Sequence, residues 1–413
     1  MSSEEWRTFK LGDIAEIVGG GTPSTAKDEY WSDDIPWITP RDLSGSDEKY
    51  ISRGERNISQ NGLENSSAKL LPAGTVLLST RAPIGYLRIA LNPLSTNQGF
   101  KSLITKPDLV SNEFLYYLLK SQVSYLKSVG VGSTFAEISG GTLSRLEFRF
   151  PPLHEQIKIV EILSLLDEKI DLNHKTNQTL QEIAQAIFKE WFVDFNYPGA
   201  TGEMVDSKMG LLPKGWRIQN LGELSSTITK GTTPTTLGDN FVEKGVRFLR
   251  VDCIDETYGI DESKSLFITQ ETHEKLRRSQ LMQNDILITI AGSIGRLSIV
   301  SERVLPANLN QAIGIIRIDE NIVPVNYIFQ YLKQPIIRNK LLSGVTQSVQ
   351  ANISLQDLRS LLIIIPSKQI LLSYKIILGV IQGYIDNNNN QSTSLQKIRD
   401  LLLSKFMRGD SKL

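Results

Sequence analysis

Residues 154–192 read HEQIKIVEILSLLDEKIDLNHKTNQTLQEIAQAIFKEWF. Apolar side chains recur in this stretch at steps of three and four residues, which is the pattern of an amphipathic helix. The apolar seam consists of Ile159, Leu163, Leu166, Ile170, Leu180, Ile183, Ile187 and Trp191. A continuous helix of this length would span roughly 58 Å. The polar segment DLNHKTN at its centre leaves open whether the helix breaks there or continues.

A second copy of this helix is predicted near the end of the chain, over residues 369–408, with the polar centre DNNNNQST. The segments before the two helices match as well. The matching pairs are WRTFKLGDI from Trp6 with WRIQNLGEL from Trp216, GGGTPST with KGTTPTT (Gly21 aligned with Gly231), and EISGGTLSRLEFRFP with NISLQDLRSLLIIIP. The offset grows from 210 to 215 residues, because loops tolerate insertions better than packed elements do. The chain is therefore an internal duplication.

Each half has a first part rich in β-branched residues, Gly and Pro, which predicts short strands with one or two helices. The long helix follows it. The predicted fold is α+β, with two similar globular heads separated by two long helices that pack as an antiparallel coiled coil. The internal repeat gives the fold a pseudo-two-fold character. The predicted boundaries are 1–150 for head 1, 151–195 for helical region 1, 196–215 for a linker, 216–366 for head 2 and 367–408 for helical region 2.

The two helical regions carry opposite charge in a chain whose net charge is zero. Residues 151–200 contain four Lys/Arg and eight Asp/Glu, whereas residues 366–413 contain seven Lys/Arg and three Asp/Glu. Acidic residues crowd the first half of one helix, and Lys397, Arg399, Lys405 and Arg408 crowd the second half of the other. Antiparallel pairing would place these halves side by side, and flanking charges select partner and direction in coiled coils. The alternative is that each helix packs only on its own head.

The composition is that of a globular protein, with 40% hydrophobic and 22% charged residues. The apolar runs are shorter than the ~20 residues that cross a bilayer. The first residues, MSSEEWRTFK, do not have the character of a secretory signal, so we expect a cytoplasmic protein. The single cysteine, Cys253, excludes an internal disulfide.

Motifs for catalysis are absent from the sequence. It contains no phosphate-binding loop of the GxxxxGK[ST] type, no GxGxxG spacing and no set of His or Cys residues at metal-ligand spacing. The tetrapeptides of amino-methyltransferases are absent too. The sequence therefore predicts a binding protein without cofactor or metal rather than a catalyst.

The heads carry the side chains that read DNA in the major groove, where Arg or Lys recognises guanine and Asn or Gln recognises adenine. The candidates in head 1 are Arg41, Arg81, Arg88, Asn97 and Gln98, and those in head 2 are Lys230, Arg250, Arg296, Asn310 and Gln311. Thr22, Ser24 and Thr232 lie in the Gly-rich loops, where they are candidates for contacts to DNA phosphates. For each of these residues the competing interpretation is a surface charge or a structural turn.

The segments GGGTPST, IPWITPRDL, LLSTRAPIG, FPPLHEQIKIVEILSLLDEKID and IFKEWFVDFNYP followed by LPKGW together resemble the specificity subunit of Type I restriction-modification complexes. The resemblance covers essentially the whole chain. It implies two target recognition domains that each read one half of a bipartite, asymmetric site in double-stranded DNA. It also implies that the helical regions set the gap between the half-sites and dock two methyltransferase subunits. A restriction subunit with translocase activity would join them, and the chain itself would not be catalytic.

One segment departs from the pattern of that family. The second helical region begins IPSKQILLSYKIILGVIQ and lacks the Pro-Pro-Leu-x-Glu-Gln motif of the first, which puts identical docking at the two ends in doubt. Two other classes of function stay open at this stage. One is a scaffold whose two heads bind protein or carbohydrate, and the other is an enzyme whose catalytic residues follow no known motif.

Overall fold

A computed structural model of the chain describes residues 6–45, 48–132, 136–343 and 352–409. They form two compact units, which are Met1–Asn177 with Asp386–Leu413 (unit 1) and Gln178–Ile385 (unit 2). Each unit contains one head together with parts of both long helices. The units therefore divide each helical region near its centre, whereas the predicted boundaries treat each region as one segment.

Head 1 is built from ten strands and five short helices within the described residues. The strands are β1 (Arg7–Lys10), β2 (Ala15–Gly19), β3 (Trp31–Ile38), β4 (Tyr50–Ile51), β5 (Arg56–Ile58), β6 (Val76–Thr80), β7 (Ile84–Ala90), β8 (Ser95–Thr96), β9 (Phe100–Thr105) and β10 (Glu147–Phe150). The helices are α1 (Leu11–Ile14), α2 (Gln60–Glu64), α3 (Asn112–Ser121), α4 (Val123–Val129) and α5 (Gly140–Arg145). The strands form a five-stranded sheet of order β2-β9-β6-β7-β4, a three-stranded sheet β5-β3-β8 and the ladder β1-β10.

The first long helix, α6 (Leu153–Phe192), follows head 1, and a hairpin of β11 (Met204–Ser207) and β12 (Gly210–Pro213) leads into head 2. Head 2 repeats the plan of head 1. Its strands are β13 (Arg217–Asn220), β14 (Ser225–Lys230), β15 (Val246–Leu249), β16 (Leu266–Ile268), β17 (Ile286–Thr289), β18 (Leu297–Ile299), β19 (Ala307–Leu309), β20 (Ile313–Ile318) and β21 (Leu362–Ile365). Its helices are α7 (Gln270–Lys275), α8 (Val325–Lys333), α9 (Pro335–Ser343) and α10 (Leu355–Ser360), and the second long helix α11 (Lys368–Arg408) follows them.

The duplication is visible in the hydrogen bonds that close the two heads. In head 1 the first strand pairs antiparallel with the last, with Arg7 opposite Phe150. In head 2 the corresponding pair is Arg217 opposite Ile365. Local helix signals repeat as well, since Ser139 caps α5 and Ser354 caps α10 through the side-chain oxygen. The predicted pseudo-two-fold repeat and the α+β fold are confirmed.

Both long helices are continuous, so the polar centre does not break them. In unit 1 they run antiparallel, because contacts move from Asp167 with Arg399 to Asn177 with Asn389. The centre of α6 is held by amides rather than by apolar packing. Asn173 donates to Gln391 Oε1 at 2.9 Å and to Ser392 Oγ at 3.2 Å. The polar centre is therefore a buried hydrogen-bonded layer, of the kind that fixes register in coiled coils.

The apolar seam of α6 differs from the prediction in its second half. Ile159, Leu163 and Ile170 are buried, and Leu166 is half-buried. Further on, Ile183 is 44% exposed, and the buried positions are instead Ala184, Phe188 and Phe192, with Leu180, Ile187 and Trp191 packed at the edge. The prediction for Ile183 is wrong because Ala184 keeps the seven-residue repeat of Leu163 and Ile170, whereas Ile183 lies one residue off it.

Each long helix packs on a head as well as on the other helix. In unit 1, Leu163 of α6 and Phe406 of α11 join one hydrophobic core with Phe114 and Tyr117 of α3. In unit 2 the rings of Phe192 and Tyr374 lie 4.8 Å apart, and both pack with Tyr327 of α8. The alternative in which each helix packs only on its own head is therefore wrong, since the second helix contributes to the core of head 1.

Charge complementarity between the two helices is concentrated in one ion pair of unit 1. Arg399, which is 8% exposed, donates to Asp167 Oδ1 at 2.8 Å, and the Tyr117 hydroxyl donates to Asp167 Oδ2 at 2.6 Å. Burial raises the pKa of Tyr117, and the Asp167 carboxylate raises it further, so the hydroxyl stays a donor. Lys397 and Lys405 are both exposed, and neither has an ion pair among the described residues. Arg399 therefore joins the second long helix to the first in unit 1.

Candidate nucleic-acid interface

Four loops of head 1 meet where strands β2, β3, β6 and β8 end. The backbone hydrogen bonds that join them are Gly21 N to Thr96 O at 2.9 Å, Asn97 N to Ile38 O at 2.9 Å, Thr80 N to Gly99 O at 2.8 Å and Ile138 N to Thr80 O at 3.0 Å. Because these bonds use amides and carbonyls of the last strand residues and of the loops that follow, they hold the loops as one frame. Most of the candidate residues of head 1 lie on this frame.

Head 2 builds the same frame from the corresponding residues. Its hydrogen bonds are Thr232 N to Leu309 O at 3.1 Å, Asn310 N to Leu249 O at 3.0 Å, Ile290 N to Ala312 O at 2.8 Å and Ile353 N to Ile290 O at 3.0 Å. All four have a counterpart in head 1. The duplication therefore preserves the arrangement of the loops and not only the strands beneath them.

These contacts correct the alignment of the Gly-rich loops by one residue. A Cβ on Gly20 would lie 2.0 Å from Asn97 O, and a Cβ on Gly231 would lie 2.0 Å from Leu309 O and 2.2 Å from Asn310 O. Gly20 therefore corresponds to Gly231, and Gly21 corresponds to Thr232. The glycine is required because the backbone of the neighbouring loop leaves no room for a side chain.

The corrected alignment shows a side-chain contact that both heads share. In head 1 the Thr22 hydroxyl bonds to Gln98 Oε1, and in head 2 the Thr233 hydroxyl bonds to Gln311 Oε1. Thr233, which sequence reasoning missed, is thus the counterpart of Thr22, and Thr232 is not. Both contacts are exposed. They join the Gly-rich loop to the Asn-Gln loop at the surface of each head.

Asn97 and Asn310 shape the loops in which they lie. Asn97 Oδ1 accepts from Gly99 N at 2.9 Å, and Asn310 Oδ1 accepts from Ala312 N at 3.2 Å. This is the local turn that asparagine side chains form with the backbone two residues on. The amide nitrogen of each side chain is not used in that turn.

The cations of head 1 fall into two groups. Arg41 and Arg81 are exposed on the frame, each with a carboxylate at 3.9 Å, from Glu55 and Glu137 respectively. Arg88 is only 6% exposed, and its guanidinium donates to the carbonyl of Leu87 at 2.8 Å. The structure corrects the expectation for Arg88, because its strand β7 turns the side chain into the protein and commits it to backbone carbonyls. Ser24 is exposed.

In head 2 the predicted arginines are partly engaged. Arg250 pairs with Asp252 at 2.8 Å, and Arg296 donates to Ile254 O at 3.0 Å and lies 3.3 Å from Glu256. Both guanidinium groups are only partly exposed.

The Gly-rich loop of head 2 has a neighbour that sequence reasoning missed. Arg278 donates from Nη2 to Thr232 Oγ1 at 3.2 Å. It lies far from the loop in sequence, so no local signal indicated the contact. Lys230, the last residue of β14, is half-buried beside Thr232.

The arrangement offers hydrogen-bond donors and positive charge. In the described part of the chain no group of three or more His, Cys, Asp or Glu residues is placed to hold a metal ion. Cys253 is buried, and burial raises the pKa of its thiol. Of the helices within the described ranges, none is long and apolar enough to span a membrane.

The chain matches the family model of the Type I restriction modification DNA specificity domain twice, over residues 3–182 and 213–399. It belongs to that family. Among curated proteins it is 35% identical to the Type I restriction enzyme MjaIX specificity subunit of Methanocaldococcus jannaschii, an alignment that covers 99% of this chain and 94% of that protein. It is 24% identical to the Type I restriction enzyme HindI specificity subunit of Haemophilus influenzae, covering 98% and 99% of the two chains.

A solved structure supports the fold at low sequence identity. The Type I restriction-modification system S subunit from M. genitalium superposes with a TM-score of 0.56 at 16% identity, covering 97% of this chain and 96% of that one. The fold derived from the duplicated sequence is thus that of a known specificity subunit.

Proposed function

We propose that this chain is the DNA-recognition subunit of a Type I restriction-modification complex, in which each head reads one half of a bipartite, asymmetric site. The observation that carries the proposal is the pair of matched loop frames. Backbone contacts and the Thr–Gln contact repeat in both heads, whereas other side chains on the frame differ, as with Arg81 in head 1 and Ala291 in head 2. A shared frame with different side chains suits two different base sequences, because phosphate contacts position a protein and side chains specify bases.

The long helices are the proposed docking surface for methyltransferase subunits, two of which are expected, and for a restriction subunit with translocase activity. Support comes from apolar side chains that α11 leaves exposed at four-residue steps, namely Leu372, Ile376, Val380 and Tyr384. Contiguous exposed apolar surface marks interaction sites on soluble proteins. On α6 the corresponding stripe contains Ile157 and Leu165 but is interrupted by Glu161 and Lys169. The place of action proposed is the cytoplasm, where the DNA of a bacterial or archaeal cell lies.

The test of recognition is a head exchange in the assembled complex. The chain is purified with a methyltransferase partner, and methylated adenines are mapped on a randomised DNA library before and after residues 216–366 are replaced by the equivalent segment of a relative. One half-site should change while the other stays. Binding without sequence preference, or no binding in a gel-shift experiment, would favour the protein- or carbohydrate-binding scaffold instead. Methylation by the purified chain alone would favour an enzyme.

The second test concerns the gap between half-sites. Removing seven residues from each long helix at facing positions keeps the seam in phase and shortens each helix by about 10 Å. The preferred gap should decrease by about three base pairs, at ~3.4 Å per base pair, while both half-sites are retained. An unchanged gap would mean that the helices do not set the spacing.

A further inference from the structure

Three cations lie next to the Gly-rich loop of head 2 or on the segment that contacts it. Arg278 bonds to the Thr232 hydroxyl at 3.2 Å, Arg277 beside it is exposed, and Lys230 lies two residues before Thr232 on the strand that leads into the loop. The guanidinium of Arg278 has further donors beyond the one that Thr232 accepts. Positive charge and free donors thus collect at the rim of the frame that the two heads share.

The same positions in head 1 are uncharged. Lys230 ends β14 as Gly19 ends β2, so Gly19 is its counterpart. Ser67 and Ala68 correspond to Arg277 and Arg278. This alignment is fixed by two features that occur in both heads, one before and one after these residues. These features are the helix caps Ser59 and Thr269, and the hydrogen bonds Leu71 N to Leu94 O at 2.8 Å and Leu281 N to Ala307 O at 3.0 Å.

The contact between these segments and the Gly-rich loop also repeats. A Cβ on Gly21 would lie 2.3 Å from Ser67 Oγ and 2.4 Å from Ala68 N, just as Thr232 meets Arg278 in head 2. Lys69, one residue further on, is exposed in head 1. The two heads therefore place one backbone path against the loop, with three cations at the matched positions in head 2 and none in head 1.

The charge of these three cations is also less compensated than that of Arg41 and Arg81 in head 1. Within the described ranges, no carboxylate oxygen lies within 4.0 Å of the charged nitrogens of Lys230, Arg277 or Arg278. Arg41 and Arg81 of head 1 each face a carboxylate at 3.9 Å. A carboxylate near an arginine offsets its attraction for phosphate, so Lys230, Arg277 and Arg278 each attract an anionic backbone more strongly than Arg41 or Arg81 does.

We infer that Lys230, Arg277 and Arg278 form a phosphate-binding clamp in head 2 that head 1 lacks, so that head 2 supplies the larger share of sequence-independent DNA affinity. The inference rests on the proposed function, because it takes the loop frames as the DNA-binding face. Arginine binds phosphate through two parallel hydrogen bonds, and each phosphate neutralised releases counterions from the duplex. The clamp positions the duplex, while base contacts in both heads select the sequence.

The test is the salt dependence of DNA binding by the chain assembled with its methyltransferase partner. The double variant R277Q/R278Q is compared with wild type on a cognate duplex, found by the methylation mapping, and on an unrelated duplex of equal length. Loss of two phosphate contacts should make the slope of log K against log salt less negative by about 1.8. When the salt concentration rises from 50 to 200 mM, both proteins should lose affinity, and the fold-loss of the variant should be roughly one tenth of the fold-loss of wild type. The change should be equal on both duplexes.

A matched control removes two cations elsewhere in head 2. Arg303 and Lys264 are exposed and paired with Glu262 and Asp261, at 3.1 and 2.9 Å. K264Q/R303Q changes the net charge by the same amount and should leave the slope unchanged. In the opposite direction, S67R adds one cation to head 1 at an exposed position and should steepen the slope by about 0.9.

Two results would overturn the clamp. The first is a slope for R277Q/R278Q equal to that of wild type. The second is a loss of affinity for the cognate duplex alone at unchanged slope, which would mean that the arginines contact bases rather than phosphates. Failure of the proposed function gives a different result, in which wild-type complex binds both duplexes equally. In that case the slopes still decide whether the clamp exists, and absence of all DNA binding by wild type refutes both.

Discussion

The buried ion pair between Asp167 and Arg399 predicts a specific order of stability among three substitutions. Arg399 is 8% exposed, and it donates to Asp167 at 2.8 Å and to Asp400 at 2.9 Å. Arg399→Met leaves the largely buried Asp167 with the Tyr117 hydroxyl as its remaining hydrogen-bond partner among the described residues, and an uncompensated buried charge costs about 3–4 kcal/mol. Asp167→Asn should cost about 2 kcal/mol, because Arg399 keeps Asp400 and the amide can still accept a hydrogen bond. Asp400→Asn should cost less than about 1 kcal/mol, since that side chain is 64% exposed.

A double-mutant cycle separates the pair from its surroundings. Asp167→Asn combined with Arg399→Met should cost about 1.5–2 kcal/mol less than the sum of the two single changes, because the second change removes a charge that the first has left unpaired. Local free energies of opening are measured by hydrogen-exchange mass spectrometry on peptides of unit 1, with peptides of unit 2 as the internal reference. Additive single effects, or an Asp400→Asn variant as unstable as Asp167→Asn, would refute this account of the interface between the two helices.

Three further predictions test other parts of the structure. Gly20→Ala and Gly231→Ala should each destabilise their own head by more than about 2 kcal/mol in denaturant titrations. Gly141→Ala serves as the control, because no atom lies within 4 Å of the new Cβ, and it should stabilise α5 by about 0.4–1 kcal/mol. Equal effects of the three substitutions would contradict the close loop contact. Asn177→Leu should raise the stability of unit 1 by about 1 kcal/mol, because a polar side chain in a helical seam sets register at the expense of stability. A loss of stability, measured by hydrogen exchange, would show that the hydrogen bonds of the Asn177 side chain contribute more than apolar packing would. Burial lowers the pKa of Lys333 from 10.5 to about 8, so below pH 8 the folded state alone carries the burial penalty of a charge. Lys333→Met should therefore be more stable than wild type at pH 7, and this advantage should shrink as the pH rises from 8 toward 10.5. A stability difference that does not change with pH would refute this prediction.

The duplication and the long helices were predictable because their signals are local and repeated. Leu163 and Ile170 lie in the predicted seam since helical periodicity alone puts them on one face. Ile183 could not be distinguished from Ala184 in the same way, because both are apolar and lie three and four residues after Leu180, and either step fits a helical seam. Only the packing of Phe188 and Phe192 in unit 2 decides which face is buried.

The candidate site was less predictable than the fold. The sequence singles out Asn97, Gln98, Asn310 and Gln311 by residue type, and they do lie on the loop frames. Arg88, however, has the same chemistry as the exposed Arg41 and Arg81 and is buried. An arginine on a strand carries no sequence signal for the face it takes when both faces are covered. The repeat gave no reliable alignment of the Gly-rich loops either, since GGG and KGT match almost equally well at neighbouring registers.

The sequence by itself determined the twofold repeat, the α+β class, the two long helices and the opposite charge of their ends, because periodicity, duplication and composition are properties of short stretches. The tertiary structure decided that Thr233 corresponds to Thr22, that Arg278 meets Thr232, and that Asn173 and Asn177 are buried in an amide layer rather than at a break. These facts depend on which distant segments meet in space. Such contacts are chosen by the packing of the whole core, and no short stretch of sequence encodes them.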